Sequence, residues 1–372
     1  ETSVLTFISI PGVAYRGNWV FLQLAIGYII GRFLVSYILL PIYFQKGVLS
    51  IYEILGYSFG VSIQRVASFI FLITRIFADG VRFLATAVIV QAITGWSLTS
   101  AVFLIGGVTL IYSLLGGIRT VIWVDGFQFI LYISGGLISI FYLLSYINLP
   151  FNKIIEILME SEKLKLFQYQ GNFVSDPYLF VSAIIGGVFL SFASHGADYM
   201  MVQRVLVTKD LGSARKAMIG SGVFVFLQFA LFLFIGSLLF IYFDGAIIEK
   251  DREFSTFVVN HLPVGIKGIL IAGILSAAMS TISSSINSLT SSIVNDWFNG
   301  TGSIKMSQYI GLFWGLVLMT IALLFDESDK ALVVIGLEIA SFTYGILLSF
   351  FILTKLKNKF SKGNSWFGAS AG

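Results

Sequence analysis

Apolar stretches long enough to cross a bilayer recur along this chain, at roughly residues 18–43, 63–92, 98–115, 121–146, 179–200, 214–243, 266–295, 307–325 and 331–354. About twenty apolar residues span the hydrocarbon core as a helix. A backbone in lipid must satisfy its own hydrogen bonds, so repeated stretches of this kind dictate an all-α, polytopic membrane bundle. An apolar piece at 3–11, ending at Pro11-Gly12, reads as the end of one further helix and brings the expectation to about ten. Only 11% of residues are charged and the mean hydropathy is +0.92, whereas soluble domains carry about a quarter charged residues. With no cysteine, neither disulfides nor thiolate metal sites arise.

Loop charge sets the orientation. Alternate loops hold Lys46, Arg119, Arg204, Lys209, Arg215, Lys216, Lys305 and Lys355, while the others offset Lys153, Lys165 and Arg252 with Glu156, Glu160, Asp244 and Glu249. The basic side is expected to be cytoplasmic. The net charge of +4 is therefore a loop asymmetry and not a nucleic-acid patch. Five helices precede a soluble segment at 147–178 and five follow it. Halves at 1–146 and 179–356, joined by an extracellular connection at 147–178 and followed by a cytoplasmic tail at 357–372, then have opposite topology. That arrangement is compatible with an inverted repeat, whose site would lie near the midplane beside broken helices.

One stretch departs from ordinary membrane composition. From Ser276 to Ser292, ten of seventeen residues are Ser or Thr. Ala277, Ser280, Thr281, Ser284, Ser288 and Ser291 recur at helical spacing and share one face. Small hydroxyl residues at membrane depth serve close helix packing. They can also line an oxygen site for a hard cation. Taken alone the stretch favours packing, with the cation reading as the alternative.

Ionisable groups at membrane depth are candidates for function. Arg75, Asp79 and Arg82 stand at i, i+4 and i+7, hence on one helix face. They form either a self-neutralising network with one surplus positive charge or the polar wall of a solute pocket that offers an arginine to a carboxylate. Asp125 is expected to cap an interface or to give a cation site its negative charge, and Glu338 to contact a pocket rather than form a structural pair. Arg32 is expected to snorkel or pair locally. Gly116-Gly117 reads as a tight cytoplasmic turn between two spans. No His-rich ligand set, Walker loop or nucleophile elbow is present, so no enzyme class is favoured.

Four segments resemble the sodium:solute symporter family: ETSVLTFISIPGVAY, GGIRTVIWVDGFQ, ADYMMVQRVLVTKD and ILSAAMSTISSSINSLTSSIVNDWF. They lie in the family's order and spacing, with Val124 in place of a usual Thr and Tyr199 in place of Gln. The resemblance implies a LeuT-type core of five plus five inverted helices with a truncated first helix, and alternating access coupled to the sodium ion. It implies a sodium site made of the carbonyls of Thr2 and Ala277 and the hydroxyls of Ser280 and Thr281, with one more carbonyl before residue 1 and Asp125 nearby. It further implies a solute pocket drawing on Ser3, Thr6, Ala25, Ala78 and Ser191, to which the membrane charges add Arg75, Asp79, Arg82 and Glu338. Family members carry helices before and after this core, so the chain is expected to be a core fragment. The implied activity is symport of a small polar organic solute, with a lean to one bearing a carboxylate. The implied partners are that solute, sodium and the lipid bilayer. A solute sensor and a proton-coupled carrier on the same fold stay open as alternatives.

Overall fold

A computed structural model describes residues 4–325 and 332–355. In chain order the helices are α1 (Val4–Arg16), α2 (Leu22–Ile38), α3 (Leu40–Lys46), α4 (Glu53–Phe59), α5 (Val61–Thr94), α6 (Leu98–Ile147) and α7 (Phe151–Glu160). They continue with α8 (Phe180–Gly196), α9 (Tyr199–Leu206), α10 (Leu211–Tyr242), α11 (Glu253–His261), α12 (Val264–Ser292), α13 (Ile304–Leu324) and α14 (Leu332–Lys355). Among the described residues six helices are long and apolar enough to cross a membrane, and a bent pair, α8 with α9, makes a seventh.

Short polar residues start several of these helices. The side chains of Ser97, Asp198, Asp210 and Ser303 each accept a hydrogen bond from a backbone N–H of the first turn, filling donors that no helical carbonyl reaches. Gly47 and Gly95 close α3 and α5 in the left-handed conformation, which a glycine adopts without steric cost.

Three expectations need correction. The piece at 3–11 does not stop at Pro11-Gly12, since α1 continues through Pro11 to Arg16. The turn expected at Gly116-Gly117 is absent from the backbone, because α6 runs as one helix of 50 residues. Its first part packs on α13, with Leu110 against Gly315, and its later part on α12, with Leu131 against Gly273. Of the two readings of Arg32, snorkelling is the one overturned. The residue is buried in α2, and its guanidinium donates to the Ser221 hydroxyl of α10 at 2.6 Å.

The helix pairings follow a pattern. α1 packs on α10 and α2 on α8, while α5 packs on α14 and α6 on α12. Two contacts are backbone to backbone. A Cβ on Gly27 would fall 2.5 Å from the Ile184 carbonyl, and one on Gly236 would fall 2.0 Å from that of Pro11. Small residues here replace side-chain packing with direct helix contact.

The interior divides into two apolar cores. Phe7, Tyr132, Phe232, Phe254, Ala277 and Ala278 belong to one, and Tyr52, Phe71, Tyr199, Ile282, Ile286 and Phe351 to the other. On α12 the boundary falls between Ala278 and Ile282, the turn that holds Ser280 and Thr281.

Candidate functional site

There α5 and the break between α8 and α9 bring ionised groups together with hydroxyls from α12 and α14. Arg75 has a side chain 1% exposed and sits 3.0 Å from Asp198, which is fully buried. It also lies 3.5 Å from Asp79. The Tyr344 hydroxyl donates to Asp198 at 2.7 Å and accepts from Arg75. Asp79 further accepts from Arg82 and from the Ser285 hydroxyl. Burial of this kind is tolerable only when each charge is paired and hydrogen-bonded.

The network settles the sign of the local charge. Arg75 and Arg82 face Asp79 and Asp198, two positive against two negative, so the surplus positive charge expected from α5 alone is cancelled by an aspartate from another helix. Arg75 is committed to its internal partners. Arg82 has a side chain 25% exposed and is the more accessible of the two.

Asp198 occupies a break in the fold. α8 ends at Gly196, α9 starts at Tyr199, and the two are bent by 62°. Asp198 caps α9, accepting from the Met200 N–H at 2.9 Å, and its other carboxylate oxygen faces Arg75 and Tyr344. A helix N-terminus favours a negative charge at this position.

On α12, the Thr281 hydroxyl donates to the Ala277 carbonyl at 3.2 Å. Ser280 is buried one position earlier. The Ser285 hydroxyl, which reaches Asp79, also lies 3.0 Å from the Thr281 carbonyl. One turn past Ser280, the Ser284 hydroxyl accepts from Arg204 of α9, so a cation side chain already occupies that position. The other hydroxyls bond locally: Ser283 to the Ser280 carbonyl, Ser288 to that of Ser285, and Ser292 to Asp296. The stripe thus serves packing along most of its length, and at one turn the Ala277 carbonyl and the Thr281 hydroxyl meet, with Ser280 buried next in sequence.

The remaining sequence candidates scatter. Thr2 and Ser3 lie outside the described residues, and of Asp125 only the helical backbone of α6 is described. Thr6 is buried in α1 and hydrogen-bonded with Tyr132, which also accepts from Gln228 at 3.2 Å. Ala25 and Ala78 are buried. Ser191 faces α2, its hydroxyl donating to the Tyr28 carbonyl at 3.0 Å. Glu338 lines a cavity of about 470 Å³ between α2, α8 and α14, along with Leu24, Leu190 and Tyr344. That volume is in the range of small-ligand sites. Tyr344 lines the cavity while its hydroxyl belongs to the ion network, a role that no spacing in the sequence signals.

A profile of the Sodium:solute symporter family matches residues 1–359. The chain belongs to this family. It is 29% identical over 360 residues to the sodium/sialic acid symporter NanT of Aliivibrio fischeri, a match covering 88% of this chain and 68% of that protein. It is 30% identical over 311 residues to the sodium/sialic acid symporter SiaT of Proteus mirabilis, covering 79% and 60%. It is 26% identical over 307 residues to the mouse sodium-coupled monocarboxylate transporter 2, covering 79% and 49%. The chain therefore spans about half to two thirds of the length of these relatives. Among solved structures, a substrate-bound, outward-open sodium-coupled sialic acid symporter superposes with a TM-score of 0.83 at 24% identity, over 95% of this chain and 75% of that one. A nucleobase-cation-symport-1 family transporter in a closed conformation gives 0.62 at 12% identity, over 98% and 78%. These likenesses carry the fold, an all-α LeuT-type bundle, and this family of symporters consists of transporters and not enzymes.

Proposed function

We propose that this protein is a sodium-coupled symporter that moves a small polar organic solute across the plasma membrane by alternating access. The observation that carries the reading is the oxygen group on α12, where the Ala277 carbonyl and the Thr281 hydroxyl lie 3.2 Å apart beside buried Ser280, at the boundary of the two apolar cores. Sodium takes hard oxygen donors, and a carbonyl with two hydroxyls supplies three without a fixed charge. In this reading Thr2 adds a further carbonyl and Asp125 a negative charge nearby. The mirrored pairings, α1 on α10 with α2 on α8 and α5 on α14 with α6 on α12, support two inverted halves at 1–146 and 179–356.

The solute bears a carboxylate, and Arg82, paired with Asp79 but a quarter exposed, is the group that meets it, whereas Arg75 is buried among Asp79, Asp198 and Tyr344. Relatives named for sialic acid and monocarboxylates support this class. Thr6, Ala78 and Ser191 complete the pocket reading on the α1, α5 and α8 side, Ser3 joins it by the family resemblance alone, and Glu338 marks the cavity beside α14.

Uptake of radiolabelled sialic acid and pyruvate into proteoliposomes tests the proposal. An inward sodium gradient is expected to drive accumulation, choline replacement to abolish it, and Ser280→Ala to weaken its sodium dependence. Accumulation of the same size in choline, or driven by a pH gradient without sodium, would sink the sodium reading.

A further inference from the structure

The sodium-site turn of α12 and the cavity against α14 sit on different helices, yet one continuous set of hydrogen bonds and ion pairs joins them. It starts at the Thr281 carbonyl, which lies 3.0 Å from the Ser285 hydroxyl. Ser285 reaches Asp79 of α5, and Arg75 stands between Asp79 and Asp198, 3.0 Å from the latter. Asp198 holds the α8–α9 break and accepts from the Tyr344 hydroxyl at 2.7 Å. Tyr344 then presents its side chain to the cavity.

We infer that Tyr344 is a positioning residue that couples occupancy of the cavity to occupancy of the sodium site through Asp198, Arg75, Asp79 and Ser285. This inference rests on the sodium-symport reading above. Tyr344, Asp198, Arg75, Asp79 and Ser285 are all buried, and the network reaches the more exposed Arg82 through Asp79. Ionised partners in a low-dielectric interior make each link strong and dependent on its neighbours. The chain also crosses the fold's main discontinuity. A shift of Tyr344 alters the acceptor environment of Asp198, which sets the angle between α8 and α9, and reorients Arg75. Asp79 then either keeps or releases Ser285 beside Thr281. The converse runs from sodium to the cavity, because coupling between two bound ligands is reciprocal. Removing one hydroxyl at either end deletes a link while leaving the ring of Tyr344 or the backbone of α12 in place.

The absence of cysteine permits a direct test with sodium alone as the probe. Ser182, at the cavity wall, is replaced as Ser182→Cys and its maleimide labelling rate is measured in sodium chloride and in choline chloride. Sodium is expected to change the rate by about fivefold. Adding Tyr344→Phe or Ser285→Ala is expected to reduce that change below about twofold, and adding both to reduce it no further, since residues of one network are not additive. Tryptophan fluorescence reports sodium binding independently, and Tyr344→Phe is expected to leave that titration in place. Full sodium response in the Tyr344→Phe background overturns the inference. So does sodium binding that leaves Ser182→Cys labelling unchanged without further substitution. Absence of any sodium titration overturns the symport reading itself, and the coupling with it.

Discussion

Arg16, the last residue of α1, is ion-paired with Glu253, the first residue of α11, and lies 3.5 Å from Asp251 in the turn before it. Lys163 donates to the Tyr15 carbonyl beside them at 2.7 Å, and Arg252 pairs with Glu249 at 3.2 Å. Burial raises the Glu253 carboxyl above its ordinary value of 4.5, and Arg16 pulls it back only in part. A carboxyl with a raised value binds its proton more readily in the folded state. Its contribution is fully present below about 4.5 and is lost as pH rises through the raised value. Thermal unfolding of the wild type is therefore expected to shift to lower temperature across that interval, and Glu253→Gln to flatten the profile. A Glu253→Gln profile as steep as the wild type's would refute the assignment.

Thr281→Val replaces a hydroxyl with a methyl of similar volume, while Thr281→Ser keeps the hydroxyl. If Thr281 contributes to sodium binding, the sodium concentration for half-maximal uptake rises about tenfold or more in the valine variant, about 1.4 kcal/mol, and stays near wild type in the serine variant. Equal effects of the two substitutions would assign the residue to packing.

Asp296 closes the far end of the serine stripe. Its carboxylate is buried and accepts from Ser50 at 3.1 Å, Gln64 at 3.0 Å and Ser292 at 2.9 Å, tying α12 to α5 and to the segment before α4. Asp296→Ala strands these three donors at once. A loss of about 3 kcal/mol is expected, read as a lower unfolding midpoint in detergent and reduced yield of folded protein. Wild-type stability in this variant would show that the cluster holds nothing together.

Gly27→Ala is expected to destabilise by about 1–3 kcal/mol, because its methyl would meet the α8 backbone. Gly186→Ala, on a face of α8 with nothing within 4 Å, is the matched comparison and is expected to be neutral or slightly stabilising through helix propensity. Similar losses in both variants would argue against a backbone contact at Gly27.

Much of this architecture can be read from the chain itself. Apolar runs place α5, α10, α12 and α13 within a few residues, because hydropathy and length are local properties. The bend at Asp198 and the continuity of α6 through Gly116-Gly117 are not local. The first depends on Arg75 and Tyr344 arriving from other helices, and the second on the neighbours that flank α6. The site shows the same division. The α5 charges are visible at i, i+4 and i+7, and their neutrality is not, because Asp198 lies more than a hundred residues away. Tyr344 is one of sixteen tyrosines, with no spacing to set it apart.

The backbone contact between α2 and α8 has a mechanical meaning. Gly27 and Gly31 mesh with Gly187, Val188 and Ser191 like teeth, so neither helix can slide along the other without a collision of main-chain atoms. Over this contact the two are locked in register as one rigid pair. Any change in their relative angle has to be taken up outside this contact, and the 62° bend between α8 and α9 at Asp198 is the nearest break in the backbone.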